Sequence, residues 1–121
     1  MKTIFLISSI LMVLVSCEQQ NAKGEISSVN EVNRIDFTDE ENVLLDVRTR
    51  EEFEAGNIPN SINIDYNSDD FDSLVGKLDP EKTYYVYCHS GGRSTKACSK
   101  MEDAGFKNLV HLKDGYSEYK K

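Results

Sequence analysis

With 121 residues and a formal net charge of −7, the chain is sized for one domain and too acidic to be drawn to nucleic acid or anionic lipid by charge. It carries no Lys/Arg cluster and no Cys/His spacing of a zinc site, and its acidic residues are scattered as on a solvated face. Cys17, Cys88 and Cys98 form no disulfide framework, which leaves folding to a hydrophobic core.

The first segment stands apart from that core. Lys2 precedes an apolar run from Ile4 to Val15, interrupted by Ser8 and Ser9. The run has the length of a signal h-region and falls short of the ~20 residues a spanning helix needs. Leu14-Val15-Ser16-Cys17 resembles a bacterial lipobox. That resemblance implies a signal peptide over 1–16, lipidation of Cys17, and a protein anchored in the bacterial cell envelope, on its periplasmic or extracytoplasmic side. A plain secretory signal is the alternative. Two or more acyl chains hold a protein stably on a membrane where one does not. Residues 17–25 read as a polar tether, and 26–121 as the domain.

Within the domain, Ile26 to Val29 is expected as a short edge strand. Asn30 to Phe37 carries Val32, Ile35 and Phe37 as a weak helical stripe. After a turn at Asp39–Asn42, Val43-Leu44-Leu45-Asp46-Val47 is a continuous apolar run ending in an acid, which fits a parallel strand buried on both faces. Thr49 to Glu54 predicts a short helix with Thr49 and Glu52 as a capping box. Gly56 to Asn60 breaks it, and Ser61 to Ile64 is a further strand. Ser68 to Leu78 predicts a helix capped by Ser68, with Phe71, Leu74, Val75 and Leu78 on one face. Thr83 to Cys88 is the clearest strand. Ser94 to Ala104 is the clearest helix, with Ala97, Met101 and Ala104 on one face and Gly105 at its C-cap. Leu109 to Leu112 forms a last strand, and Tyr116 and Tyr119 pack a terminal helix on the core. Alternating strands and helices, several strands continuously apolar, argue for an α/β domain with a parallel sheet.

The chemistry concentrates at Cys88-His89-Ser90-Gly91-Gly92-Arg93-Ser94. A cysteine ends the strand, and a glycine-rich turn and a helix start follow. Gly91 and Gly92 permit positive φ, and Ser94 and Thr95 can cap the helix. Such a curl is an anion-binding nest at a helix N-terminus. With Cys88 Sγ at its centre, the amide donors and the helix dipole favour thiolate over thiol. They would equally stabilise an anionic group carried on that sulfur.

Two segments resemble rhodanese-like sulfurtransferases. The first is Leu45-Asp46-Val47-Arg48, Glu52-Phe53 and Gly56-Asn57-Ile58-Pro59-Asn60-Ser61; the second is Cys88 to Ser94. Gly105-Phe106 and Leu112-Lys113-Asp114-Gly115-Tyr116 follow that family's layout. The resemblance implies a mainly parallel five-stranded sheet with helices on both faces. It also implies a cysteine that accepts a sulfane sulfur, becomes a persulfide, and passes the outer sulfur to a nucleophile. Cys88 would be that nucleophile, with His89, Ser90, Gly91, Gly92, Arg93 and Ser94 as the cradle. Asp46 and Arg48 would lie at the same rim, and Glu52 would support the loop. The partners implied are a small donor (thiosulfate or a persulfide) and a thiol or cyanide acceptor. No cofactor and no metal is called for, since the persulfide carries the group; a monomer is expected. Asn57, Asn60, Asp114 and Tyr119 replace the histidine, two glycines and tryptophan usual in the family. His89, where some members carry arginine or lysine, weakens the case for anionic thiosulfate.

Arg93 is the fifth residue after Cys88, whereas cysteine phosphatases place arginine at the sixth. The shorter ring of donors suits one sulfur atom better than a tetrahedral phosphate, so sulfur transfer ranks above phosphoester hydrolysis. A non-catalytic persulfide- or redox-sensing, or partner-binding, module is the remaining alternative. Arg93 reads as a brace paired with Asp46 or Glu52, or else as an anion clamp. Cys98 reads as a small core residue, with a disulfide to Cys88 as the sharper idea. His111 reads as structural.

Overall fold

The computed structural model describes residues 22–26 and 28–121. The expected signal peptide and Cys17 lie outside those residues. The elements are β1 (Ala22–Ile26), a 3-10 helix (Val29–Arg34), β2 (Asn42–Asp46), α1 (Arg50–Ala55), β3 (Ser61–Asn63), α2 (Phe71–Val75), β4 (Thr83–Tyr87), α3 (Gly92–Asp103), β5 (Asn108–Leu112) and a second 3-10 helix (Tyr116–Glu118). The five strands form one sheet in the order β1-β5-β4-β2-β3, with every pairing parallel. The expected α/β architecture is therefore present.

Side-chain alternation divides the core between the two faces of the sheet. On one face Leu45, Val47, Tyr84, Val86, Cys88 and Leu109 pack against Phe71 and Val75 of α2 and Ala97, Cys98 and Met101 of α3. On the other, Leu44, Tyr87 and Leu112 pack against Val29, Val32 and Ile58, with Tyr116 and Tyr119 closing over them. Helices thus cover both faces, although the second face is covered by 3-10 segments and the loop at Ile58.

Four expectations are corrected. The first strand lies at Ala22–Ile26, so residues 22–25 belong to the sheet and not to a tether. Their polar sequence hid a strand held at the sheet edge by its backbone ladder to β5, from Ala22↔Asn108 to Ile26↔Leu112. Val29, expected in that strand, instead opens the 3-10 helix, with its N–H donated to Asp114 Oδ1 at 2.6 Å. The weak helix to Phe37 closes at Arg34 as 3-10, since Ser28 gives no side-chain cap and β-branched Val29 and Val32 disfavour α-helix. Helix α2 is shorter than Ser68 to Leu78. Ser68 accepts the Asp70 N–H at 3.1 Å in a local turn, and the helix starts only at Phe71; Leu74 is exposed. The Thr49/Glu52 capping box forms as expected.

Candidate active site

Strand β4 lies inside the sheet, between β5 and β2, and its carboxyl end delivers Cys88 to the start of α3. Ligands of open α/β sheets gather at such strand ends. The loop curls around the sulfur. Gly91 N–H donates to Cys88 Sγ at 3.0 Å, and Ser94 Oγ stands 3.3 Å from it. Burial pushes the Cys88 thiol up, but the Ser94 hydroxyl and the backbone N–H groups of Ser94, Gly91 and Ser90 outweigh it. The thiol is held below its ordinary value.

Only one of the two glycines is needed for its backbone. Gly91 has φ 99°, and a Cβ there would run into the Lys113 carbonyl. Gly92 is an ordinary helical residue with open space around its missing side chain. Ser94 and Thr95 do not cap α3, because the helix starts two residues before Ser94 and Gly91 is the N-cap. Both hydroxyls instead donate to Gly91 O, at 3.1 and 2.7 Å, and pin the turn from inside the first helical turn.

Arg93 serves as a brace. Its Nη1 and Nη2 donate to Glu52 Oε1 and Oε2 at 2.6 and 3.1 Å. Glu52 also completes the cap of α1. The hydrogen bond from Arg93 holds the Glu52 carboxyl down at about 2, against desolvation. The loop is thereby bolted to α1.

Asp46 and Arg48 are not at the rim. Both are buried, as an ion pair with Arg48 Nη2 2.7 Å from Asp46 Oδ2. Arg48 Nη2 also donates to Gly56 O at 2.7 Å, and its guanidinium lies 4.1 Å from the Tyr116 ring centroid. With Nε and Nη2 engaged by Asp46 and Gly56, Arg48 is a structural clamp. The exposed members of the loop are His89, Ser90 and Gly92. Cys88 itself is 1 % exposed. Cys98 is buried in the same core cluster.

Three contributors were missed from sequence. Tyr116 N–H donates to Cys88 O at 2.8 Å, and Ser117 N–H to His89 O at 3.0 Å, so the C-terminal segment holds the loop from outside. Gly115, at φ 70°, allows that approach; a Cβ would meet the Cys88 and His89 carbonyl oxygens. The turn signal Asp114-Gly115 after the last strand was the available clue. The third is His111, whose Nε2 lies 2.7 Å from Ser94 Oγ.

The four departures from the family pattern have local accounts. Asn57 donates to Phe53 O at 3.0 Å. Asn60 takes φ 71°, a left-handed conformation that asparagine tolerates in place of glycine. Asp114 binds the Val29 N–H. Tyr119 stacks on Tyr116 with centroids 6.1 Å apart.

Residues 28–121 match the family described as Rhodanese-like domain. The chain is 35% identical over 100 residues to Adenylyltransferase and sulfurtransferase UBA4 of Meyerozyma guilliermondii, covering 76% of this chain and 23% of that protein. It is 31% identical over 104 residues to YrkF of Bacillus subtilis, a provisionally assigned sulfur carrier protein, covering 86% of this chain and 55% of that one. The chain thus spans about a quarter to about half the length of these relatives. Among solved structures, a rhodanese-like domain protein from Staphylococcus aureus superposes with a TM-score of 0.66 at 25% identity, covering 81% of this chain and 92% of that one.

Proposed function

The chain belongs to the rhodanese-like domain family, and we propose that it is a sulfurtransferase that carries a sulfane sulfur on Cys88. The observation that carries this reading is the donor ring itself: Gly91 N–H and Ser94 Oγ converge on Sγ within 3.3 Å. In the forward half-reaction the Cys88 thiolate attacks the sulfane sulfur of a donor. A new S–S bond forms, and the donor leaves with the electron pair of its broken bond. In the second half, an acceptor nucleophile attacks the outer sulfur and Cys88 departs as thiolate. A thiol with a lowered pKa is the better leaving group in that step. Arg93 and Arg48 are both engaged by carboxylates, so neither is spare for gripping an anionic donor. This supports a persulfide or other slender donor over thiosulfate.

The low exposure of Cys88 favours a second use of the same site, as a carrier or sensor that protects its persulfide between partners. The test is thiocyanate formation from a sulfane donor and cyanide, wild type against Cys88→Ser. Activity in the wild type alone supports the transferase. Equal rates in both contradict it. A stable Cys88 persulfide without turnover, seen by intact mass, favours the carrier. Lipid anchoring in the envelope through Cys17 belongs to the same proposal; it predicts that Cys17→Ser releases the protein from the membrane fraction and abolishes labelling by fatty acid.

A further inference from the structure

We propose that His111 is a positioning base for Cys88, acting through the Ser94 hydroxyl, so that the sulfur is charged as one half of a buried thiolate–imidazolium pair. Its use in catalysis rests on the sulfurtransferase reading above; its geometry does not.

Ser94 Oγ sits between three groups: Cys88 Sγ at 3.3 Å, His111 Nε2 at 2.7 Å and Gly91 O at 3.1 Å. Ser94 is fully buried and His111 is 5 % exposed. His111 lies on β5, two residues beyond Leu109, and so faces α3 on the same side of the sheet as Cys88. An imidazole placed there to fill space would not need a hydroxyl bridge to the one nucleophile.

The other ring nitrogen has a charged neighbour. Glu25 of β1 is the register partner of His111, and its Oε1 is 3.9 Å from His111 Nδ1. Lys113, on the segment after β5, approaches the second Glu25 oxygen at 4.0 Å. A carboxylate beside Nδ1 favours the tautomer with the proton on Nδ1, which leaves Nε2 as the acceptor. On the far side of Cys88, Arg93 is neutralised by Glu52 through two hydrogen bonds. His111 is thus joined to the sulfur through one hydroxyl.

The proton transfer balances. Ser94 O–H turns from Gly91 O to His111 Nε2, the nearer acceptor at 2.7 Å; Cys88 gives its Sγ proton to Ser94 Oγ while the Ser94 proton passes to Nε2. Ser94 stays neutral, sulfur becomes thiolate, and the ring becomes imidazolium between Ser94 and Glu25. The thiolate then accepts from Gly91 N–H and the Ser94 O–H, and the Ser94 oxygen accepts from Nε2–H. When an acceptor removes the outer sulfur, the S–S electron pair returns to Sγ and meets the same counter-charge. The logic is that of a base oriented by an acid, with a serine hydroxyl interposed.

The experiment is the pH profile of Cys88 alkylation by iodoacetamide in wild type, His111→Gln, Ser94→Ala, the double variant and Glu25→Gln. His111→Gln should raise the alkylation midpoint by about one pH unit, a roughly tenfold loss of rate at neutral pH. The double variant should be no slower than Ser94→Ala alone, since both substitutions break one chain. Glu25→Gln should shift the midpoint the same way by less. An unchanged midpoint in folded His111→Gln, or losses that multiply in the double variant, would overturn the proposal. If His111→Gln does not fold, nitrogen NMR of the wild-type ring decides. The relay predicts a ring protonated on both nitrogens while Cys88 is thiolate and a ring titration altered by Cys88→Ser; a neutral Nε2–H ring indifferent to Cys88→Ser overturns it. A shifted midpoint in a protein that transfers no sulfur would uphold the relay and remove the transferase reading.

Discussion

Tyr87 and Cys88 are neighbours in the chain and face opposite sides of the sheet. Each ends beside a buried ionisable system. On the Tyr87 side, Asp46 and Arg48 are in direct contact, and Arg48 Nε and Nη2 have fixed partners. On the Cys88 side, the sulfur is met by amide N–H groups and a hydroxyl, with no cation in contact among the described residues. Burial is equally deep on both sides, so burial does not distinguish structure from chemistry here. The difference is where the counter-charge sits. A contact pair is inert because both charges are cancelled, and removing one partner strands the other. An anion stabilised by dipoles keeps its lone pairs available to a small electrophile.

The comparison can be broken from either side. Cys88→Ser should reduce sulfur transfer to the uncatalysed background while leaving the urea midpoint near wild type. Arg48→Met should do the reverse. Stranding Asp46 should cost ~3–5 kcal/mol in urea unfolding, while any molecules that remain folded still form the Cys88 persulfide. Next in size is the contrast between the two loop glycines. Gly91→Ala should lose at least ~2 kcal/mol, since it combines φ 99° with a collision against Lys113 O. Gly92→Ala should change stability by under ~0.5 kcal/mol. A smaller effect than that of Gly91→Ala belongs to Glu52→Gln. The Glu52 carboxyl titrates at about 2 when folded, below its ordinary 4.5. Its contribution is therefore full above about 4.5 and is lost as pH falls toward about 2. The partly exposed pair with Arg93 is worth ~1 kcal/mol or less. Thermal melts across that pH range should show a shallower acid limb in the variant.

Local signals explain how much of this was legible beforehand. The run from Thr83 to Cys88, the glycine turn and the helix after it could be read directly, because alternation, turn chemistry and helix spacing agree there. The same holds for the Thr49/Glu52 cap. β1 could not, because polar residues at 22–25 carry no strand pattern and are recruited by the exposed edge of β5. Arg48 was mistaken for a rim residue because sequence does not show that the Tyr116 ring and the Gly56 carbonyl close over it. His111 was legible in part: two residues beyond Leu109 puts it on the α3 face. Its pairing with Ser94 depends on how β5 lies against α3, which no local pattern encodes.

The account turns on the charge state of one sulfur atom. The most direct measurement is the alkylation rate of Cys88 in the folded wild-type protein as a function of pH. A midpoint clearly below the ~8.5 of an ordinary thiol is the predicted result. A midpoint at or above that value would mean that burial outweighs the amide and hydroxyl donors, and would contradict the account.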